Sequence, residues 1–304
     1  MSMNRDFRLA AFDWLTEQVD VHGDVLPWAL LAWGFEHKGQ RIPLVSQQGI
    51  FKPRVMKFPL SIRTSANSPY DDSFGSDGLL QYRYRGTDPD HRDNIGLREA
   101  MKRQLPLAHF HAVVKGRYLA IWPTYIVGDN PAALTFSVAV DDAGAILNRS
   151  LTTQAGDDIA EDAAARRRYI TVATRQRVHQ RAFRERVLRA YSEQCAFCRL
   201  RHRELLEASH IVADAEEGPP EVRNGVALCK LHHAAFDAFF VAIRPDYQIE
   251  VRGDILLESD GPMLVHGLQD LDGKRMVLPR KSNQRPDTEL LTQRYERFSA
   301  ASSS

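Results

Sequence analysis

Cysteine is scarce in this chain, with three among 304 residues. An odd number, all falling into one ligand pattern, argues against a disulfide framework and fits a reducing compartment. Long apolar runs are missing as well. No stretch approaches eighteen apolar residues, so no membrane span is expected. The opening MSMNRDFRLAAFDWLTEQ mixes charges into an amphipathic pattern and has no apolar signal core. The cytoplasm is therefore the expected location. Net charge is nearly nil at +1 and tells little, but its distribution tells more. From Arg166 to Arg189 nine arginines stand against the single acid Glu185, just after the acidic stretch Asp157 to Asp162. No internal repeat is present, and the AASSS end is the only low-complexity tract.

What is there suffices for two ordinary domains, since 43% of the residues are hydrophobic. Phe7, Ala10, Ala11, Trp14, Leu15 and Val19 have the spacing of one helical face. From Ile42 to Val140, runs such as LLQYRYR, HFHAVVKG, RYLAIWPTYIV and LTFSVAV are β-branched and aromatic, and Gly, Pro, Asp and Asn separate them. These read as strands, interrupted by a helix from Asn94 to Gln104. Residues 141–165 lack an apolar period and read as a turn followed by a linker. The expected division is a first domain over 1–150, a linker over 151–175 and a second domain over 176–304. In the second, Phe183, Val187, Leu188 and Tyr191 mark a helix. The tail's Leu264, Leu268, Leu271, Val277 and Leu278, with a helix from Asp287 to Phe298, are expected to pack.

All three cysteines belong to one constellation. Cys195 and Cys198 form a C-x-x-C pair, and Cys229 recurs 31 residues later in Cys229-Lys230-Leu231-His232. Two such knuckles suit a tetrahedral Zn²⁺ with no vacant position, a clamp on the chain and not a catalyst. Between and just after them lie His210, Asn224 and His233, in the stretches LEASHIVADA, RNGVALC and KLHHAAFD. That ordered set resembles the HNH nuclease family, and Phe236 and Asp237 complete an H-x-x-F-D pattern also seen there. The resemblance implies a ββα-metal unit. In it His210 is the general base for water attacking phosphorus, and Asn224 ties down the loop and orients the base. His233 holds a catalytic divalent cation, Mg²⁺ or Mn²⁺. One position departs from the pattern: many HNH enzymes place a metal ligand just before the base, where this chain has Ser209. Either Ser209 binds through water, or Asp214, Glu207 or Asp237 supplies the oxygen. Asp237 is otherwise a helix-internal hydrogen-bonder, a support for a metal-binding histidine or a solvated charge.

In the first domain, Pro69-Tyr70-Asp71-Asp72, then Asp77-Gly78 and Tyr82-Arg83-Tyr84-Arg85-Gly86, resemble the SRA (YDG) readers of modified cytosine. The resemblance runs from about Ser46 to Val140 and implies a β-barrel that flips the base out of the duplex. By position Tyr70 and Tyr84 would be aromatic walls and Asp71 or Asp72 would read the base edge. Tyr82 shares a strand face with Tyr84. The polar loop of Gln47, Gln48, Gly49, Ile50 and Lys52-Pro53 would enter a groove or fill the hole left by a flipped base, or is a turn into the barrel. The arginine run would meet phosphates.

The expected fold class is α+β, a β-barrel-like SRA-type domain followed by a zinc-stabilised ββα-metal HNH domain. The implied activity is a modification-dependent restriction endonuclease acting on double-stranded DNA that carries 5-methyl or 5-hydroxymethyl cytosine. Cutting both strands needs two active sites, hence a homodimer. Two alternatives remain: an HNH endonuclease reading ordinary sequence or DNA shape, and a non-catalytic zinc-containing DNA-binding protein.

Overall fold

A computed structural model describes residues 2–64, 79–141, 157–213 and 216–302. The chain separates into two compact units, Met1–Arg181 and Ala182–Ser304. No helix among the described residues is long and apolar enough to cross a membrane.

The first unit is built on a seven-stranded sheet. Helix α1 (Ser2–His22) buries Phe7, Ala11, Phe12 and Leu15 against it, the face that the spacing predicts. On the same helix the buried Arg8 donates to the carbonyls of Pro106 and Pro59, both at 2.6 Å, so a cation satisfies backbone acceptors that would otherwise be buried alone. After the short β1 (Val25–Pro27), α2 (Trp28–Trp33) and the hairpin of β2 (Phe35–His37) and β3 (Gln40–Ile42) come the sheet strands. These are β4 (Ile50–Phe51), β5 (Ser61–Arg63) and β6 (Leu80–Arg83), then β7 (Leu107–Val114), β8 (Arg117–Asn130) and β9 (Thr135–Val140). Their order is β4-β5-β7-β8-β9-β6, with β1 also paired to β8; only β5 and β7 run parallel. Alternation along β7 sends Ala108 and Phe110 to the α1 side and Leu107 to the other face. There α3 (Arg92–Lys102) packs through Leu97.

Two expectations change here. The sheet does not close among the described residues: its path ends at β4 on one side and β6 on the other, so these strands form an open sheet in place of the expected barrel. The edges explain this, because β4 spans only Ile50 and Phe51 and runs into Lys52-Pro53, where proline has no amide to continue a ladder. The stretch expected as a linker over 151–175 is helical from Asp157, as part of α4 (Asp157–Ala190). Between residues 166 and 175 the buried side chains are polar: Arg167, Thr171 and Thr174. Arg166 and Arg167 pair with the buried Asp141 at 3.1 and 2.8 Å, the Arg167 guanidinium lies 4.2 Å over Tyr125, and Val140 N–H donates to Thr171 Oγ1 at 2.9 Å. Further along α4, Arg177 and Arg181 meet Asp24, and Arg186 donates to the Pro220 carbonyl. Much of the arginine run is thus engaged within its own unit and not set aside for phosphates.

The second unit opens on the end of α4, whose Phe183, Val187, Leu188 and Tyr191 are all buried. They pack on a hairpin of β10 (Leu206–His210) and β11 (Gly225–Cys229), paired in register from Leu206↔Cys229 to His210↔Gly225. A Cβ at Gly225 would lie 2.4 Å from Val187 Cγ2 and 2.9 Å from Phe183 Cζ, so only glycine lets the helix approach this closely. Helix α5 (Lys230–Asp237) follows β11 directly and completes a ββα unit. A second hairpin, β12 (Val241–Ile243) and β13 (Ile249–Val251), leads to α6 (Gly253–Leu257), α7 (Pro262–Gly267) and the terminal α8 (Thr288–Ser302). The tail is part of this core. Val277 N–H donates to the Ala196 carbonyl at 2.8 Å, Asp287 N–H to that of Arg223 at 3.0 Å, and Leu291 and Phe298 are buried.

Candidate active site and metal clamp

The four expected zinc ligands meet. Cys195, Cys198, Cys229 and His232 offer ligand atoms that all lie within 4.8 Å of one another. His232 Nδ1 is 3.4 Å from Cys195 Sγ and 3.2 Å from Cys229 Sγ, and the Cys198 and Cys229 sulfurs are 4.0 Å apart. A tetrahedron with ordinary zinc bond lengths has sulfur–sulfur edges of about 3.8 Å and sulfur–nitrogen edges of about 3.6 Å, so the set fits. His232 Nε2 donates to the Gly267 carbonyl at 2.7 Å, which leaves the Nδ1 lone pair facing the thiols. Packed this closely, the thiols cannot all ionise unaided. Hydrogen bonds from Cys198 and Cys229 hold the Cys195 thiol far below its ordinary range, and Cys195 in turn pushes Cys198 far above. A divalent cation removes that conflict, since thiolates are its ligands. The first knuckle is shaped by Ala196 N–H on the Ala227 carbonyl at 2.7 Å and by Arg199 in the left-handed region at φ 65°.

Beside the clamp stand the residues expected to act on phosphate. His210 ends β10, half-buried, with its ring stacked on Phe183 at a centroid distance of 4.0 Å and 4° between planes. Asn224 is fully buried. Its Oδ1 accepts from Val212 N–H at 2.9 Å, and its Nδ2 donates to the carbonyls of Val212 at 2.9 Å and Pro219 at 3.0 Å. These bonds pin the loop that leaves His210. His233, on α5, lies between two carboxylates: Nδ1 is 2.6 Å from Glu207 Oε2 and Nε2 is 3.2 Å from Asp237 Oδ2. The carboxylates sit on opposite ring nitrogens, so His233 can share a hard or borderline divalent cation with one of them and not with both. Either carboxylate, released from its ring nitrogen, would hold the ion together with His233.

The alternatives left open by Ser209 are narrowed. Ser209 shares its strand face with Glu207 but is fully buried, with Oγ 3.5 Å from the His210 carbonyl, and makes no hydrogen bond to the cluster among the described residues. Glu207, two residues earlier on the same strand, does reach it, as does Asp237. Asp214 lies outside the described residues. One participant escaped sequence reasoning altogether. Arg294, on α8, donates to the Phe236 carbonyl at 2.6 Å and to that of Ile211 at 3.2 Å. It also lies 3.6 Å from Asp237 Oδ1, with its guanidinium 3.8 Å over the Phe236 ring. The one sequence signal is its spacing with Leu291 and Phe298, at i, i+3 and i+7, which places a cation on a buried helix face.

The expected base pocket fares differently. Tyr70, Asp71 and Asp72 lie outside the described residues. Tyr82 and Tyr84 are core. The Tyr82 hydroxyl donates to the Arg63 carbonyl at 3.4 Å, and burial pushes its pKa up. Tyr84 packs on Phe136 at 4.5 Å and donates to Asp129, so burial and that carboxylate raise it too. Pairing of β6 with β9 turns this face inward, and neither ring is open to stack on a base.

No curated protein matches the chain. Among solved structures, it is similar to a modification dependent TagI restriction endonuclease, at 13% identity over 79% of this chain and 81% of that one, TM-score 0.28. It is also similar to the type IV phosphorothioation-dependent restriction endonuclease ScoMcrA, at 13% identity over 84% of this chain and 56% of that one, TM-score 0.24. At that level neither fixes the arrangement of this chain. Residues 195–244 match the HNH endonuclease family, and this segment, with its clamp, hairpin and α5, is an HNH endonuclease domain.

Proposed function

We propose that the protein is a metal-dependent DNA endonuclease of the modification-dependent restriction type. The observation that carries the nuclease reading is the ββα unit itself: His210 at the end of β10, a loop pinned by Asn224, and His233 flanked by Glu207 and Asp237. His210 accepts a proton from water as its oxygen attacks phosphorus, and the bond from phosphorus to the leaving oxygen breaks. A divalent cation, Mg²⁺ or Mn²⁺, supplies charge for the phosphate and the leaving oxygen. His233 would hold it together with either Glu207 or Asp237. Zinc on Cys195, Cys198, Cys229 and His232 fixes the chain around the site and takes no part in the proton transfer.

The substrate in this reading is double-stranded DNA with 5-methyl or 5-hydroxymethyl cytosine, cut by two copies in the cytoplasm. Its support is the resemblance of residues 46–140 to modified-base readers. With Tyr82 and Tyr84 in the core, base contacts fall to Tyr70, Asp71 and Asp72. The test is cleavage, with Mg²⁺ or Mn²⁺, of matched plasmids carrying unmodified, 5-methyl or 5-hydroxymethyl cytosine, with His210→Ala as control. Cutting confined to a modified plasmid and absent in the control is expected. Equal cutting of all three plasmids removes the modified-base reading, and full cutting by the His210→Ala protein removes His210 as the base.

A further inference from the structure

The first unit contains a cleft of about 920 Å³ to which no residue of the HNH site contributes. Three segments line it: residues 40–43, the loop 46–55 with Pro59, and the first turns of α3. Its floor is apolar, with Ile42, Ile50, Pro53 and Pro59 buried and Phe51 and Val55 half-buried. Its rim is cationic, with Arg41, Lys52, Arg54 and Arg92 all exposed. The single carboxylate in the lining, Asp93, is shared between Arg85 and Arg92, the latter at 3.6 Å, so it offsets only part of this charge. Among the described residues Lys52 and Arg54 make no ion pair, and the N-terminal end of α3, with its positive partial charge, faces the same space.

The cleft is also preformed. Arg63 Nη2 donates to the Gln47 carbonyl at 3.2 Å and Arg63 N–H to that of Gly49 at 2.7 Å. Leu60 N–H holds the Phe51 carbonyl at 2.9 Å and Met56 N–H that of Pro53 at 3.0 Å. On the opposite wall a Cβ at Gly96 would come within 3.1 Å of Pro59 Cγ, so glycine allows helix and loop to close tightly. A rigid cleft with an apolar floor and a rim on which cations exceed carboxylates is complementary to one chemistry above others. Phosphates alternate with the apolar faces of sugars and bases along a nucleic-acid strand. We infer that this cleft holds a stretch of one strand of the DNA, phosphates on Lys52, Arg54 and Arg92 and sugar or base faces on Phe51 and Val55. The inference rests on the reading that the protein acts on DNA.

The experiment measures binding of the full chain to a fluorescein-labelled duplex of about 20 base pairs, two helical turns, without divalent cation, across a salt series. Two variants are compared with wild type. Lys52→Gln/Arg54→Gln/Arg92→Gln removes the rim charge, and Val55→Trp fills the cleft and keeps the charge. Thermal melts confirm that both fold. The triple variant should bind at least about tenfold more weakly at low salt, and its slope of log K against log salt should be shallower by about 2.7, at about 0.9 for each phosphate no longer neutralised. Val55→Trp should also weaken binding, which a merely charged surface would not register. Wild-type binding that both variants retain, with the same slope, overturns the inference and leaves the nuclease reading standing. Wild-type protein that neither binds nor cuts any duplex defeats the nuclease reading itself, and the inference with it.

Discussion

Replacing Asn224 by alanine tests how the site is held. The Asn224 amide is fully buried and makes three hydrogen bonds, one from Val212 N–H and two to the carbonyls of Val212 and Pro219. At about 1 kcal/mol for each partner left unsatisfied, Asn224→Ala should destabilise the second unit by about 3 kcal/mol. Asp at this position is more revealing than Ala because it keeps the acceptor and loses both donors. Its carboxylate would face two carbonyl oxygens in a dry site, so the acid form is favoured and its folded pKa is raised. Stability is therefore greatest below the ordinary carboxylate range and falls as pH rises through it, the reverse of the usual aspartate behaviour. Urea unfolding of wild type, Asn224→Ala and Asn224→Asp between about pH 4 and 8 reads both effects. Cleavage measured on the folded fraction reports the loop, since Val212 lies two residues after His210. A loss under about 1 kcal/mol for Asn224→Ala, with cleavage intact, would refute the claim that this amide sets the loop.

Other outcomes follow from the same geometry. Arg294→Ala should lower stability by about 3 kcal/mol, because two carbonyls lose a charged donor, and should slow cleavage; Arg294→Lys should restore part of the rate. Stripping the metal proposed for the clamp with a strong chelator should unfold the second unit, seen as a fall in far-ultraviolet circular dichroism. Tryptophan emission should hold steady, since Trp14, Trp28, Trp33 and Trp122 all belong to the first unit. Among the described residues His109 is fully buried with no hydrogen-bond partner on either ring nitrogen, and burial, aided by His111, holds its pKa well below the ordinary value. The unfolded chain thus binds the extra proton, so first-unit stability should fall by about 1.4 kcal/mol per pH unit as pH drops below about 6.5. His109→Phe should flatten that slope in urea melts followed by tryptophan emission.

Legibility in the sequence tracks how strongly chemistry constrains residue type at a fixed spacing. Cys195, Cys198, Cys229 and His232 can be read because a tetrahedral ion tolerates few donors and the knuckles are local. His210, Asn224 and His233 stand out in the sequence only as an ordered set, and their roles are proposals. Glu207 remains one option among several, since it shares a strand face with Ser209 and only the folded hairpin shows its longer side chain meeting His233. Arg294 cannot be found, because its partners Ile211 and Phe236 stand 83 and 58 positions away.

Two of the differences in the first unit share a physical cause. Residues 166–175 of α4 read as a linker because their buried positions are Arg167, Thr171 and Thr174, and apolar periodicity is blind to a polar face that meets a buried carboxylate such as Asp141. Tyr82 and Tyr84 read as a ligand face because alternation shows that two side chains share a side. Alternation carries no information on what covers that side. Here Phe136 of β9 covers it, and the polar ends of both rings are satisfied within the unit by the Arg63 carbonyl and Asp129. Amphipathic residues can thus serve as core or as contact surface with the same spacing. Only the long-range partner of each polar atom decides between them, and the rim of Lys52, Arg54 and Arg92, where three cations face a carboxylate already shared with Arg85, is where that criterion points outward.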